Sequence, residues 1–147
     1  MKLTKKGYYA VKALLDMSLQ GVDRAISVNS IATRQNLPAP YLEKILIKIR
    51  HAGLIKSIRG MQGGYILALP PEEISLGDIL IAVGDKIDPL SPNSLNQDSA
   101  EDWVTMTLWS RLNKKFKEAI FSITLADLYY DARSRQASQG EDNNFIV

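Results

Sequence analysis

Side chains that commonly perform catalysis or bind metals are scarce in this sequence. Its 147 residues include no cysteine and a single histidine, His51. Thiol nucleophiles, disulfides, zinc ribbons and multi-histidine metal sites are therefore excluded. His51 falls at the end of a predicted helix, where a basic side chain suits the helix dipole, so we interpret it as a surface residue. The sequence predicts a protein without enzymatic activity, metal site or cofactor.

A group of carboxylates is the remaining candidate for metal binding. Asp85, Asp88 and Asp98 fall in the polar segment 84–100, and carboxylate oxygens are ligands that hard divalent cations prefer. Their spacing is irregular, however, and carboxylates in loops are mostly solvated. We therefore expect this segment to be a flexible loop without a bound metal ion.

Polar residues with a more informative spacing fall within the segment 40–52. Glu43, Lys44 and Lys48 share the outward face of a predicted helix, and Ile47 lies beside them. A helix fits the major groove of DNA, where Glu43 could accept a hydrogen bond from cytosine and the lysines could contact guanine or phosphate. Ile47 either contacts a thymine methyl group or packs against the following hairpin. The inward stripe of this helix is Tyr41, Leu42, Ile45, Leu46 and Ile49.

The distribution of charge favours a polyanion as partner. Up to Leu69 the chain has 11 Lys or Arg against 3 Asp or Glu, a net charge of +8. From Pro70 onward 7 basic residues face 13 acidic ones, a net charge of −6. This pattern is typical of a polyanion-binding module followed by a segment with another task. The alternative is chance clustering of charges on solvated faces.

Periodicity and capping residues predict three helices in the basic half. The first begins after an N-cap at Thr4 and ends at Gly21. The second begins at Ser27 and ends near Asn36, and the third begins at Pro40. The face that the first helix is expected to bury consists of Tyr8, Val11, Leu14, Leu15, Ser18 and Leu19.

A predicted hairpin follows the third helix. Two strand-like runs, residues 54–59 and 65–69, flank the glycine-rich segment 60–64. These glycines could cradle a phosphate, but no helix begins directly behind them. Two helices joined by a four-residue turn and followed by a basic hairpin form a winged helix-turn-helix, with Arg59 directed at a phosphate or a minor groove. The predicted fold is therefore mainly α with a small β-hairpin wing.

The acidic half predicts three further helices and a tail. Ser75 with Asp78 and Thr124 with Asp127 form capping boxes that begin two short helices. Between them a long helix carries an apolar seam spaced 3, 4, 3 and 4 residues apart, which is typical of helices that pack lengthwise on another helix. The seam consists of Trp109, Leu112, Phe116, Ala119 and Ile123. The predicted segments are residues 1–83, the DNA-binding domain; 84–100, the loop; 101–134, the dimerisation and C-terminal helices; and 135–147, a polar tail without regular structure.

Several motifs together resemble the Rrf-type regulators, the family of IscR, NsrR and CymR. They cover residues 1–83 in detail and residues 123–128 more loosely: MKLTKKGYYAV at 1–11, IA at 31–32 with RQ at 34–35, YLEKIL at 41–46, Arg50 with AGLI at 52–55, RG at 59–60 with GGY at 63–65, and ITLADL at 123–128. The resemblance implies a bacterial, dimeric transcription factor, usually a repressor, with a winged helix domain and a long dimerisation helix that crosses its two-fold mate.

The sequence departs from this family at informative positions. Many members hold an iron-sulfur cluster on three cysteines in the loop before the long helix, and this chain has none. Tyr8 stands where some members place a carboxylate ligand, so cluster sensing is not expected. Asn36 replaces a turn glycine and Met61 a wing proline, and both replacements look tolerable.

These observations predict a cytoplasmic, homodimeric regulator that binds an inverted repeat in double-stranded DNA, without a membrane partner. The alternatives are control of the same fold by a protein partner or small-molecule effector, and an adaptor that does not bind DNA. The expected DNA contacts are Lys5, Lys6, Ser27, Asn29, Arg34, Pro40, Tyr41, Glu43, Lys44, Lys48, Arg59, Gly60, Gln62 and Gly63. The expected dimer contacts are Trp109, Leu112, Phe116, Ile120 and Ile123.

Overall fold

The computed structural model describes residues 4–88 and 99–144, with side chains up to residue 140. It confirms the predicted fold class, because the described chain is mostly helical and contains a two-stranded antiparallel hairpin. The elements follow in the order α1 (Lys5–Gln20), α2 (Val28–Gln35), α3 (Ala39–His51), β1 (Ile55–Ile58), β2 (Gly64–Leu67), a short 3-10 turn (Pro71–Glu73), α4 (Leu76–Ala82), α5 (Ala100–Ser122) and α6 (Leu125–Asn144).

One hydrophobic core lies between α1, α2 and α3 and is closed by the hairpin and α4. The stripe predicted for α3 is confirmed, because Leu42, Ile45, Leu46 and Ile49 are all buried and Tyr41 is half-buried. Burial of each such aliphatic side chain stabilises the fold by about 1.5 to 3 kcal/mol. Further core residues come from the other elements: Ile31, Ile55, Tyr65, Leu67, Ile79, Val83 and Leu125.

The face that α1 buries differs from the predicted one. Leu14 and Ser18 are buried as predicted, but Tyr8 is exposed, and the structure also buries Ala10, Ala13 and Met17. Large side chains guided the prediction, but a small side chain such as that of alanine allows a neighbouring helix to approach closely. Both alanines belong to the hydrophobic core, where α1 is in contact with α2, α3, α4 and α6.

A backbone bridge just before α2 adds to the packing that joins the wing to the helices. Ile26 forms an antiparallel bridge with Tyr65 of β2, and each backbone N–H donates to the carbonyl oxygen of the other residue at 2.8 Å. Gly64 lies against this bridge, and a Cβ atom there would overlap the carbonyl oxygen of Ile26. The bridge therefore extends the hairpin, whose register places Ile55 opposite Leu67, by one short third strand.

A second bridge holds the beginning of α6 against the beginning of α4. Ser75 and Thr124 pair in antiparallel fashion, flanked by two backbone hydrogen bonds of 2.8 Å. Both predicted capping boxes are confirmed at the same place. The backbone N–H of Asp78 and the hydroxyl oxygen of Ser75 are 3.0 Å apart, and the corresponding distance from Asp127 to Thr124 is 3.2 Å.

The C-terminal segment corrects two expectations. The helix α5 ends at Ser122, one residue before Ile123, so the predicted seam does not lie wholly on one helix. Residues 135–147 were expected to be an unstructured tail, whereas α6 continues to Asn144. The prediction relied on apolar periodicity, which is absent there, but a well-capped helix also propagates through polar residues such as Arg133, whose side chain contacts Gln136 one turn away.

Residues 89–98 of the predicted loop, which include Asp98, lie outside the described residues. No helix among them is both long and apolar enough to cross a membrane.

The contact of Gly64 with the Ile26 bridge leads to a test of wing attachment. Gly64→Ala is expected to lower the free energy of unfolding by about 2 kcal/mol, because the added methyl group displaces backbone that it cannot avoid. Urea unfolding followed by circular dichroism measures the change. Gly140→Ala in α6 is the matched control, since its methyl group meets open space, and it should be neutral or slightly stabilising. Equal stability of Gly64→Ala and wild type would contradict this account of the bridge.

Candidate nucleic-acid interface

The turn between α2 and α3 is tight and well defined. Asn36 adopts the left-handed conformation, with φ 54° and ψ 50°, which asparagine tolerates better than most residues. The backbone N–H of Leu37 then donates to the carbonyl oxygen of Ala32 at 2.9 Å. Pro38 is the N-cap of α3, and Pro40 follows in its first turn, where its missing N–H costs no helical hydrogen bond. The turn therefore determines the angle between α2 and α3.

The outward face of α3 carries the side chains that were predicted to contact bases and phosphates. Glu43, Lys44 and Lys48 are exposed, because the opposite face of the helix is packed into the core. Pro40 is exposed as well, whereas Ile47 is half-buried. The arrangement brings one carboxylate and two ammonium groups together on one turn-and-a-half of a helix that has the width of a major groove.

Glu43 is linked to the wing. The hydroxyl group of Tyr65 donates to Oε1 of Glu43 across 3.4 Å. Burial raises the pKa of Tyr65 above its ordinary value, the charge of Glu43 raises it further, and Arg50 opposes the shift. The hydroxyl group therefore stays protonated and remains a donor. Since the backbone of Tyr65 also bridges to Ile26, one residue of β2 contacts both the α1–α2 connection and the recognition face of α3.

Arg34 has a role that was not predicted for it. Its Nε and one terminal nitrogen donate to the two carboxylate oxygens of Asp16 at 2.9 and 2.8 Å, in a bidentate ion pair. The side-chain amide of Gln35 donates to the same carboxylate at 2.8 Å, and Lys12 donates to the carbonyl oxygen of Gln35 at 3.2 Å. The hydrogen bonds to Asp16 raise the pKa of Arg34; burial opposes this, and the charge of Asp16 adds to it. The expected phosphate contact of Arg34 stays a prediction.

The remaining predicted contacts occupy two places. At the amino end of α2, the hydroxyl oxygen of Ser27 accepts the backbone N–H of Ser30 at 3.2 Å as an N-cap, and Asn29 is exposed. At the beginning of α1, Lys5 is exposed and Lys6 is half-buried. Both places lie on helices that pack against one another, so these side chains belong to the same folded unit as α3.

The wing supplies a third group of exposed residues. Arg59, Gly60 and Gln62 are exposed, and Gly63 is half-buried. The backbone N–H of Gly63 donates to the carbonyl oxygen of Gly60 at 3.0 Å and closes the tip. The cation of Arg59 therefore stands at the base of a closed turn rather than on a loose loop.

Comparison with known proteins identifies the family to which this chain belongs. The model of the Rrf2 family, described as an iron-dependent transcriptional regulator, matches residues 3–131. The chain belongs to the Rrf2 family. A protein of Synechocystis sp. named as an HTH-type transcriptional regulator is similar at 56% identity over 147 residues, with both chains fully covered.

Solved structures of Rrf2-family regulators are also similar. IscR of T. potens matches with a TM-score of 0.75 and 40% identity, covering 92% of this chain and 91% of its own. CymR of B. subtilis, titled the global cysteine regulator of that organism, matches with a TM-score of 0.76 and 35% identity, covering 88% and 97%. The chain is therefore a DNA-binding transcriptional regulator of a family that is not enzymatic.

Sequence reasoning about this Rrf2-family regulator missed Asp16. The residue was counted only as a charge, yet it is 2% exposed and organises both Arg34 and Gln35. A signal was present, because Asp16 lies between Ala13 and Met17 on the apolar face of an amphipathic helix. A carboxylate at such a position must be paired if it is to be buried.

The Asp16 ion pair leads to a stability test. Arg34→Ala is expected to lower the free energy of unfolding by about 3 kcal/mol, because it leaves a buried carboxylate without its cation. Lys117→Ala is the control, since its ion pair with Asp88 at 2.6 Å is exposed on both sides and should contribute less than about 1 kcal/mol. Urea denaturation measures both, and similar losses for the two variants would show that the Asp16 pair is not structural.

Proposed function

We propose that this Rrf2-family regulator is a cytoplasmic homodimer that binds an inverted repeat in DNA and represses transcription, and that it does so without a cysteine-ligated iron-sulfur cluster. The observation that carries the proposal is the division of exposed groups in the structure. Cations lie on α3 and the wing, whereas an apolar stripe lies on α5. The resemblance to regulators that are usually repressors supports the direction of control.

The exposed cations support recognition of duplex DNA. With α3 in the major groove, Lys44 and Lys48 reach guanine or phosphate and Glu43 reaches cytosine. The wing then lies along the backbone, where Arg59 contacts a phosphate or the adjacent minor groove. The net charge of +8 in the first 69 residues, together with the exposed cations of α3 and the wing, favours DNA over an adaptor that binds none.

The phosphate contacts lead to a prediction of salt dependence. The logarithm of the affinity for DNA should fall with the logarithm of salt concentration by about 0.9 per phosphate neutralised. Lys48→Ala and Arg59→Ala should each weaken binding and reduce this slope by about one contact. Fluorescence anisotropy against duplexes selected by the protein from a random library gives both quantities. Lys117→Ala, on the acidic half, is the control, and an unchanged slope in Lys48→Ala and Arg59→Ala would refute the placement of α3 and the wing.

The surface of α5 supports a dimer. Val104, Leu108 and Leu112 follow one another at intervals of four residues and are each at least 41% exposed, and Phe116 continues the stripe half-buried. Among the predicted dimer contacts, Trp109 is also half-buried. A row of apolar side chains along a helix is costly in water, and a two-fold mate would cover it.

One predicted dimer contact packs inside the protomer. Ile120 is the one buried residue of α5, whose residues are all described. Ile123 follows the helix, and although its carbonyl oxygen accepts the backbone N–H of Leu76 at 2.8 Å, its side chain is exposed and stays a predicted dimer contact. We therefore propose that the dimer contact includes the exposed apolar side chains of α5 and Ile123 but not Ile120.

A double substitution tests the dimer. Leu108→Asp combined with Leu112→Asp should give a folded monomer, because both side chains are already exposed and the core is untouched. The monomer should lose specific binding to a two-half-site duplex by more than tenfold, since one recognition helix makes too few base contacts alone. Light scattering, circular dichroism and gel shift measure assembly, folding and binding. Val22→Asp, at an equally exposed aliphatic residue outside α5, is the control; a double variant that stayed dimeric would exclude this interface.

The cofactor implied by the family does not fit this chain. The family description names iron dependence, and the resemblance implies a cluster held by three cysteines before α5. The chain contains no cysteine, whereas iron-sulfur clusters require thiolate ligands for most of their coordination. The donor set therefore does not support a cysteine-ligated cluster, and the mechanism proposed here has no step through one.

Reconstitution tests this point. Protein incubated anaerobically with iron and sulfide and then desalted should stay colourless, because no thiolate is available. Visible absorption together with iron and sulfide analysis measures the outcome. A stoichiometric cluster band would contradict the proposal and require other ligands.

Effector control is the second candidate and has a structural observation in its favour. A groove of about 820 Å³ lies between the end of α1, the segment after β2 and the first turns of α6. Its wall includes Val22, Leu69 and Tyr130, which are all exposed. A small molecule bound there would contact both the winged domain and α6, so this groove is the place at which we propose that an effector binds.

A further inference from the structure

An apolar side chain stands alone at the tip of the wing. Met61 is fully exposed, whereas Met17 is 2% exposed in the core and Met106 on α5 is half-buried. Its neighbours Gly60 and Gln62 are exposed as well, and neither adds an apolar side chain. Single exposed apolar side chains are common on protein surfaces; what distinguishes Met61 is its position at the tip of the wing.

The shape of the tip keeps Met61 away from the domain. Gly60 has a φ of 126°, which side chains rarely adopt, and its carbonyl oxygen accepts the backbone N–H of Gly63. A Cβ atom on Gly63 would crowd the carbonyl oxygens of Ile58 and Gly60, so glycine is needed there as well. The turn is therefore closed by its own backbone, and the Met61 side chain projects into solvent.

DNA would cover this side chain in the function proposed above. If Arg59 contacts a phosphate or the minor groove, Met61, two residues further along the tip, reaches the sugars and base edges beside it. Proteins that enter the minor groove commonly place an apolar side chain such as methionine there. The exposed thioether is thus suited to an apolar contact that forms only on DNA.

We propose that Met61 is a modification site, at which oxidation of the thioether to the sulfoxide by a peroxide weakens the binding of DNA. With hydrogen peroxide, the sulfur lone pair attacks one peroxide oxygen and the O–O bond breaks; the transferred hydroxyl group gives up its proton, and the leaving hydroxide takes one up to become water. Sulfur loses two electrons, and the peroxide gains them. This inference rests on the proposed function in one respect: it requires the wing to contact DNA.

The composition of the chain makes this site the favoured target. Thiolates are the side chains that peroxides usually oxidise first, and the chain has no cysteine to compete. Among the described methionines, Met17 is shielded by the core and Met106 is partly shielded on α5, whereas Met61 is fully exposed. The product is polar and carries a strong hydrogen-bond acceptor, which must lose water when it enters a groove lined by acceptor atoms. Methionine sulfoxide is also reversible by dedicated reductases, so the change suits a switch.

The test uses the full chain and a duplex that the wild type selects from a random library. The protein is treated with hydrogen peroxide until about one oxygen is added, peptide mass spectrometry locates the oxygen, and anisotropy gives the affinity for the duplex. We expect oxidation at Met61 before Met17 and Met106, and an affinity lower by roughly five- to tenfold. Met61→Leu should have the same affinity before and after the treatment, whereas Met61→Gln should bind more weakly than the untreated wild type without any oxidant.

Matched controls separate this inference from the proposed function. Met106→Leu should lose affinity on oxidation as the wild type does, and circular dichroism should be unchanged in all variants because Met61 makes no core contact. The inference is overturned if protein oxidised at Met61 binds as tightly as before, if Met61→Leu loses as much affinity on oxidation, or if Met61→Gln binds like the wild type. An untreated wild type that selects no duplex would instead overturn the proposed function, and that result is seen before any oxidant is added.

Discussion

A buried carboxylate determines how the DNA-binding half of this protein is arranged. Asp16 is almost completely removed from water, and a charge in that position is tolerated only when hydrogen bonds replace its hydration. Arg34 and Gln35 supply those bonds from the last turn of α2, so α2 has one orientation on α1 in which the charge is satisfied. The turn at Asn36 begins one residue later, and α3 follows from it. The direction of α3 thus depends on an interaction between α1 and α2, in which α3 itself takes no part.

The wing depends on a comparable constraint at Tyr65. Its backbone completes the bridge to Ile26, while its hydroxyl group contacts Glu43 on α3. The hairpin alone has two short strands, which are marginally stable in water without further support. Tyr65, together with the core residues Ile55 and Leu67, therefore holds the wing and the recognition helix as a unit. A hydrogen bond also connects the residue proposed to read cytosine to the element proposed to contact the backbone.

The fold was largely predictable because its signals are local. The stripe of Leu42, Ile45 and Ile49, the two capping boxes and the glycine-rich tip each follow from residues close together in the chain, and the structure contains all of them. The errors arose where packing between distant segments decides the outcome. The buried face of α1 depends on which other helices pack against it, and the pairing of Asp16 with Arg34 joins residues 18 positions apart.

The candidate site was predictable only in part, for the same reason. The exposure of Glu43, Lys44 and Lys48 follows directly from the stripe on the opposite face of α3. The link from Tyr65 to Glu43 crosses between elements and leaves no trace in the spacing of residues. The polar continuation of α6 beyond Ser134 was missed because apolar periodicity marks only a helix with a buried face, and a helix that is solvated on all sides does not show it.

The bridge between Ser75 and Thr124 has a consequence for the geometry of the operator. Because α6 and the end of α5 are hydrogen-bonded to the beginning of α4, α5 is attached to the winged domain by paired backbone and not by a free linker. In the proposed dimer, the two recognition helices therefore share one rotational phase about the DNA axis. One extra base pair between half-sites turns the second by roughly 34° out of that phase. A rigid joint of this kind makes binding sensitive to the twist of the duplex between the half-sites as well as to its sequence.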